Sequence, residues 1–283
     1  MTKFINVNGE LILEEAYSIS AASRSVFYGD GCFETFVSYK GKFLHFEDHF
    51  IRLQSSLEYL EMNASFNEEK LKAEIFRLLE KNGDEHEDIV VRVQCYREGN
   101  AGYMDISERS GSIISTRSVS YGKELLNLKT VSIRAIPSEA LERKVKLSNS
   151  INYIKAAQEA KKKGGDDALM LTMNQKISET TIANIFWIKG NQVCTPSKDC
   201  DLLPGVTRAI IKEIVNKNSE LELIEGEFEL SSIYESEAVF CCNSVMEVKP
   251  VSMLNDHSFD IAHELVLSIS QEFQNYKRSK LKQ

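Results

Sequence analysis

Apolar and polar residues alternate in short runs up to Phe46, and helical spacing then takes over. Phe4-Ile5-Asn6-Val7, Asn8-Gly9 and Glu10-Leu11-Ile12-Leu13 predict a β-hairpin, because Asn-Gly supplies the left-handed backbone that a tight hairpin turn requires. Phe33 to Tyr39 predicts a second strand, turned by Lys40-Gly41-Lys42 into a returning strand from Phe43 to Phe46. From Glu47 to Glu61, the side chains of Phe50, Leu53, Leu57 and Leu60 fall on one helical face. Leu71, Ile75, Leu78 and Leu79 do the same between Asn67 and Lys81, and Gly83 stands just past the end as a stop. The β-branched runs Ile89 to Tyr96 and Gly111 to Thr116 predict further strands.

Ser118 to Lys123 is polar, turn-rich and short, and predicts a linker. The expected division is a small N-terminal α/β domain over 1–118, a linker over 119–124 and a larger C-terminal domain over 125–283. Strands are expected at Lys129 to Ala135, Ala168 to Met173 and Ala238 to Cys242, with a hairpin of Ile185 to Lys189 and Gln192 to Thr195 about Gly190-Asn191. Helices are expected at Asn149 to Lys163, ended by Gly164-Gly165, at Val206 to Asn216 and at Ile261 to Tyr276. The class is therefore mixed α/β or α+β in two domains.

Composition changes this picture chiefly by exclusion. With 34 Lys and Arg against 42 Asp and Glu, the chain has a formal charge of -8 and no global field that would gather nucleic acid or anionic membrane. Its six cysteines include no CxxC pair and no His-Cys cluster with zinc spacing, so buried reduced thiols and no metal are expected. No apolar run approaches about 18 residues, and the N-terminus lacks a basic start followed by an apolar stretch, so a cytoplasmic protein is expected.

The chain has no GxGxxG, Walker loop, GxSxG or HExxH, which removes support from hydride, ATPase and triad-hydrolase chemistry. Leu203-Pro204-Gly205-Val206-Thr207-Arg208 runs from a loop into a helix, whose first amides, from Val206 and Thr207, suit a phosphate dianion. Lys146 lies just before a predicted helix. A lysine held there out of water can become neutral and attack a carbonyl. Lys144 and Lys155 compete with it by position, and physical chemistry alone does not choose among the three. Glu179 reads as a strand-edge carboxylate and Arg52 as an ordinary helix-surface arginine unless an anion lies near.

These pieces come together by resemblance. Five separated segments match, in order, the class IV aminotransferase group of fold-type IV enzymes, which use pyridoxal phosphate. They are Tyr28-Gly-Asp-Gly-Cys-Phe-Glu-Thr35; His49-Phe-Ile-Arg-Leu53; Lys146-Leu-Ser-Asn149 with Gln158-Glu-Ala160; Ile177-Ser-Glu179 with Asn184-Ile-Phe186; and Leu203-Pro-Gly-Val-Thr-Arg208. Asn243-Ser-Val-Met-Glu-Val-Lys-Pro-Val251 resembles the substrate-side loop of the same group. The resemblance implies the two-domain D-amino acid aminotransferase-like fold, a homodimer, and pyridoxal 5'-phosphate joined to Lys146 as a Schiff base. The family's lysine spacing, counted back from Gln158-Glu159-Ala160, falls at 146. It further implies that Glu179 faces the pyridine nitrogen, that Arg52, the amides of Val206 and Thr207, and Ser244 hold the phosphate, and that Leu203 packs on the ring. Phe33, Arg92, Tyr103 and Val245 are implied on the substrate side.

Some positions depart from the branches of the family. Ser150 stands where branched-chain members carry a tyrosine, and Val90 replaces the first residue of their Tyr-x-Arg, though Arg92 fits the second. The Arg-x-His trap of D-amino-acid members is missing from Arg97-Glu-Gly-Asn-Ala-Gly-Tyr103, and Phe33 stands where those members have tyrosine. Gly31-Cys32-Phe33, Asn184-Ile-Phe-Trp187 with Lys189-Gly190, Gly102-Tyr103 and Cys242-Asn243-Ser-Val-Met246 resemble the third branch, 4-amino-4-deoxychorismate lyase, although an arginine of some lyases is Ala101 here. The expected activity is therefore cleavage of aminodeoxychorismate into 4-aminobenzoate and pyruvate. The alternative is amino transfer from branched-chain or D-amino acids to 2-oxoglutarate.

Overall fold

The computed structural model describes residues 3–63, 66–99, 102–104, 107, 109–120 and 122–282. Asn100 and Ala101 of the loop noted above, and Tyr121 of the linker, lie outside them. The chain forms two compact units, residues 1–120 with 145–150, and residues 121–144 with 151–283. The sequence pattern suggested a single break near residues 118–124; the short return of Val145–Ser150 to the first unit is a feature it did not contain.

In the first unit the chain runs β1 (Phe4–Val7), β2 (Glu10–Leu13), α1 (Arg24–Tyr28), β3 (Gly31–Tyr39), β4 (Lys42–Phe43), α2 (Phe46–Tyr59), α3 (Glu68–Asn82), β5 (Asp88–Arg97) and β6 (Ser110–Ser118). The strands form one antiparallel sheet in the order β2-β1-β6-β5-β3-β4. Successive strand side chains point to opposite faces. Cys32 and Phe36 of β3, and Val91, Val93 and Cys95 of β5, therefore meet Phe50, Leu53, Leu71, Ile75 and Leu78 of the two long helices in a closed apolar core. Phe33, Arg92 and Gln94 fall on the other face. The expected returning strand at Phe43–Phe46 is cut to Lys42–Phe43, because His45 adopts a left-handed backbone (φ 54°) and caps α2.

The second unit contains β7 (Leu126–Arg134), α4 (Ile151–Lys162), β8 (Asp167–Leu171), β9 (Ile177–Thr180), β10 (Asn184–Lys189), β11 (Gln192–Pro196), α5 (Val206–Lys217), β12 (Glu222–Gly226), α6 (Ser231–Tyr234), β13 (Ala238–Asn243), β14 (Glu247–Leu254), β15 (His257–Ser258) and α7 (Glu264–Leu281). Its mixed sheet runs β12-β11-β10-β13-β14-β7-β8-β9, with β15 on β14. The near-continuous apolar strands β8, β10 and β13 are buried up to their last residues, Lys189 in β10 and Asn243 in β13, as strands covered on both faces must be. α4 seals one face through Ala156 and Ala160 against Val131, Ala168 and Met170. β14 is not among the expected strands: it begins inside the segment that resembles a substrate-side loop, Pro250 pairs with Phe240 inside the sheet, and the ladder on the β7 side shifts register at the next residues, Val251 and Met253. α4 starts at Ile151 rather than Asn149, because residues 145–150 belong to the first unit, where Leu147 bridges Cys32. All six cysteines are buried free thiols. No helix among the described residues is long and apolar enough to cross a membrane.

Candidate active site

In the first unit Lys146 is positioned by backbone pairing. Phe33 N–H donates to the Lys146 carbonyl at 3.0 Å, Ser148 N–H donates to the Gly31 carbonyl at 2.9 Å, and Cys32 and Leu147 form a bridge. Leu147 packs into the apolar core, so its extended-chain neighbours Lys146 and Ser148 turn to the polar face of the sheet. The Lys146 backbone N–H is tied to Ser56 Oγ at 3.0 Å. On that face Lys146 Nζ lies 4.6 Å from the centre of the Phe33 ring, and the Arg92 guanidinium carbon lies 3.8 Å from the same centre. An amine and a guanidinium thus share one aromatic surface. Burial pulls the Arg92 pKa down, though it remains a cation.

Arg52 stands on the other side of β3. Its Nε and one Nη donate to the two carboxylate oxygens of Glu34 at 2.7 and 2.9 Å, and His49, one turn earlier on α2, hydrogen-bonds Glu34 Oε2 at 2.8 Å. Glu34 is only 1% exposed. Burial pushes its carboxyl up, but the charge and hydrogen bonds of Arg52, joined by those of His49, outweigh burial and bring it down to about 2. Burial, with the positive charges of Arg52 and Lys146, lowers His49 despite its Glu34 partner. A neutral imidazole beside a charged carboxylate is the result, with Nδ1–H donating to Glu34.

In the second unit β9 carries Glu179 into a dense donor shell. Its Oε1 accepts from the Tyr153 hydroxyl at 2.8 Å and lies 3.6 Å from Arg143 Nη2; its Oε2 accepts from Leu203 N–H at 3.1 Å and Asn184 Nδ2 at 3.3 Å. Arg143 also donates to the Tyr153 hydroxyl. Asn184 binds the Leu203 carbonyl at 2.9 Å, so a single amide fixes both the carboxylate and the Leu203-Pro204-Gly205 loop. That loop opens α5 with Gly205 as its N-cap and no capping side chain. Thr207 Oγ1 lies 3.4 Å from Ser244 Oγ, and Asn243 Oδ1 braces the Ser244 turn by accepting from the amides of Val245 and Met246.

This second-unit arrangement fits pyridoxal phosphate. An uncapped helix start has unpaired N–H groups and positive dipole density, and two hydroxyls converge beside it, which together suit a phosphate dianion. A buried carboxylate ringed by donors suits a ring nitrogen kept protonated. Of the substrate-side positions, Val245 is half-buried in its turn, whereas Tyr103 is 84% exposed and touches the Tyr28 ring at 5.0 Å between centres.

Sequence reasoning missed Tyr153, Arg143, Asn184, Glu34 and His49 as members of these clusters. Ser150 stands where branched-chain members carry a tyrosine; Tyr153, three residues later on the first turn of α4, reaches Glu179. No local signal marks Arg143. Cys32, Trp187 and Cys242, which resembled the lyase branch, are at most 1% exposed and fill the cores; Trp187 meets Phe228 edge-on and donates to Ser232 Oγ.

Residues 31–254 match the family described as amino-transferase class IV. The chain is 30% identical, over 93% of its own length and 90% of the relative's, to a probable branched-chain-amino-acid aminotransferase of Rickettsia bellii. It is 28% identical, over 90% of its length and 88% of the relative's, to the aminodeoxychorismate lyase of Bacillus subtilis. A branched-chain-amino-acid aminotransferase-like protein 2 of Arabidopsis thaliana is 30% identical over 87% of the chain, which spans only 44% of that longer protein. The fold is also that of the branched-chain aminotransferase of Thermoproteus uzoniensis, crystallised with norvaline, at a TM-score of 0.92 and 22% identity over 99% of this chain and 96% of that one. With the family pattern spanning both units, the chain belongs to the class IV aminotransferases, a family of pyridoxal-phosphate-dependent enzymes.

Proposed function

We propose that the protein transfers the amino group of an amino acid to a 2-oxo acid, with pyridoxal phosphate as cofactor and Lys146 as the attachment and proton-transfer residue. The observation that carries this reading is the shared Phe33 ring: an amine able to move a proton and a guanidinium able to hold a carboxylate lie against one aromatic surface. When bound, pyridoxal phosphate supplies an electron-accepting ring for the pair left at the substrate Cα. Glu179 holds the proton on the ring nitrogen, and Tyr153, Asn184 and the Leu203 amide hold Glu179 in its charged form. The Val206 and Thr207 amides with Thr207 and Ser244 hydroxyls take the phosphate, Arg52 adds a cation, and Leu203 packs on the ring. Once released by the incoming substrate amine, Lys146 would take the Cα proton and deliver it to the carbon that carried the cofactor's aldehyde, so that the amino group stays behind and a 2-oxo acid leaves; the accepting 2-oxo acid would then run the same transfer in reverse. Arg92 receives the substrate carboxylate, with Phe33, Tyr103 and Val245 as the neighbouring surface.

The second reading is cleavage of aminodeoxychorismate into 4-aminobenzoate and pyruvate. It is favoured by the similarity to the Bacillus subtilis lyase and by Gly102-Tyr103. It takes second place because Cys32, Trp187 and Cys242, part of the lyase-like pattern, are at most 1% exposed, and packing alone accounts for them. In either reading the working form is a homodimer, as the family resemblance implies, which sedimentation of the purified chain tests.

One pair of assays separates the readings. Amino acid plus 2-oxoglutarate should yield glutamate, with branched-chain and D-amino acids tried as donors. Pyruvate release from aminodeoxychorismate without measurable amino transfer would reverse the order of the two.

A further inference from the structure

Gln94 is the point at which three parts of the first unit meet. It lies on β5 opposite Phe33 and two residues beyond Arg92, so the three share the polar face, while Val93 between them points into the core. Its Nε2 lies 3.1 Å from the Cys32 carbonyl, 3.1 Å from the Cys95 carbonyl and 2.7 Å from Ser148 Oγ. Two backbone carbonyls can only be met by the NH2 end of a carboxamide, which fixes the amide's orientation. The side-chain carbonyl must then face Arg92, whose Nη2 donates to it at 2.9 Å. Ser148 Oγ is an acceptor toward Gln94, so the serine hydrogen is donated away from it. One neutral side chain therefore orients a guanidinium and a hydroxyl donor on the face that carries Lys146.

We infer that Ser148 is a further substrate-binding residue, donating to the substrate carboxylate alongside Arg92, and that Gln94 is the positioning residue that aims both. This deepens the proposed function and rests on its assignment of Arg92 to a carboxylate. Gln94 adds no charge, so the pair keeps the full positive potential of Arg92. A charged partner at position 94 would cancel that potential. A carboxylate has two oxygens, and two fixed donors read its plane as well as its charge.

The test is a calorimetric titration of the purified protein with glutarate, a plain dicarboxylate. It is run both as isolated and after saturation with pyridoxal phosphate, on wild type, Gln94→Leu, Ser148→Ala and the double variant. Gln94→Leu is expected to weaken glutarate about tenfold or more and Ser148→Ala about three- to tenfold, with the double variant no weaker than about twofold beyond Gln94→Leu alone. In the loaded enzyme KM for the 2-oxo acid rises correspondingly, kcat changes less than about threefold, and cofactor affinity stays within about twofold. Glutarate affinities within twofold of wild type for both single variants would overturn the inference, as would additive losses in the double variant or failure of wild type to bind glutarate. Should Gln94→Leu not fold, Ser148→Ala and its conservative control Ser148→Thr, expected to keep affinity within about threefold, decide the matter. Failure of wild type to retain pyridoxal phosphate counts against the proposed function instead, since the titration of protein as isolated needs no cofactor.

Discussion

Glu34 grips Arg52 through both carboxylate oxygens, at 2.7 and 2.9 Å, from a position only 1% exposed. The pair joins the first strand of the GDGCFET segment to the helix that follows it, and His49 completes the shell. A cation that the family resemblance assigns to the phosphate is thus pre-set by a carboxylate, with no search over side-chain rotamers left to complete at the moment of binding.

That cluster makes stability depend on acid. Glu34 has a folded pKa of about 2 against an ordinary 4.5, and His49 lies below its ordinary 6.5. In both cases the unfolded chain binds more protons, so stability rises with pH and is lost as pH falls: first below 6.5 through His49, then from 4.5 toward 2 through Glu34. Glu34 contributes on the order of 3 kcal/mol above pH 5. Thermal melts of wild type between pH 7 and 3 should show a fall in Tm that Glu34→Gln flattens in the lower half of that range. Parallel curves for the two proteins would contradict it.

Tyr153 and Glu179 form the corresponding pair in the second unit. Tyr153→Phe removes the 2.8 Å donor to Oε1, beside which Arg143 remains, a loss of about 1 kcal/mol. Turnover should drop about tenfold while cofactor affinity moves less than about threefold. Glu179→Gln should lower turnover about a hundredfold or more, with cofactor still bound. Steady-state kinetics beside equilibrium dialysis of the cofactor checks both; unchanged turnover in Glu179→Gln would remove that residue from the chemistry.

How much of this was readable in the sequence follows from the range of the interactions. The hairpin at Asn8-Gly9, the amphipathic faces of α2 and α3, and the buried hairpin at Gly190-Asn191 rest on contacts a few residues apart, and periodicity reports them. β14 begins inside a segment that resembles a substrate-side loop, and Pro250 lacks the N–H that a strand ladder uses, so its sheet neighbours alone reveal the strand. Val145–Ser150 reads locally as the approach to a helix, because nothing nearby announces pairing with a strand more than a hundred residues earlier. The separated motifs marked Lys146 and Glu179. The groups that hold them from farther along the chain, Ser56 for Lys146 and Tyr153 for Glu179, carry no local signature.

Gly205 is the tightest point of the phosphate-side loop. A Cβ there would lie 2.3 Å from Asn184 Oδ1, although the backbone (φ -71°) suits any residue. Gly205→Ala therefore acts by sterics alone, pushing Asn184 off the Leu203 carbonyl and Glu179 at a cost of about 1–3 kcal/mol. Pyridoxal-phosphate affinity, by fluorescence titration, should fall at least about tenfold. An affinity equal to wild type would show that this loop is not the phosphate cradle.

Glu247 connects the closing helix to the Ser244 turn. It adopts a left-handed backbone (φ 60°), and its buried carboxylate accepts from Gln274 and Lys277 of α7. Lys277→Met leaves that carboxylate short of a cation, which costs about 2 kcal/mol. Urea denaturation should show that loss, and cofactor affinity should weaken severalfold through Ser244; unaltered stability would mean that α7 does not brace the turn.

The central claim is that the amine of Lys146 is the one joined to the cofactor. Borohydride reduction of the protein saturated with pyridoxal phosphate, followed by peptide mass mapping, tests it most directly. The account predicts a single phosphopyridoxyl adduct, on Lys146, absent from Lys146→Ala. An adduct on Lys144 or Lys155, or none at all, would contradict it.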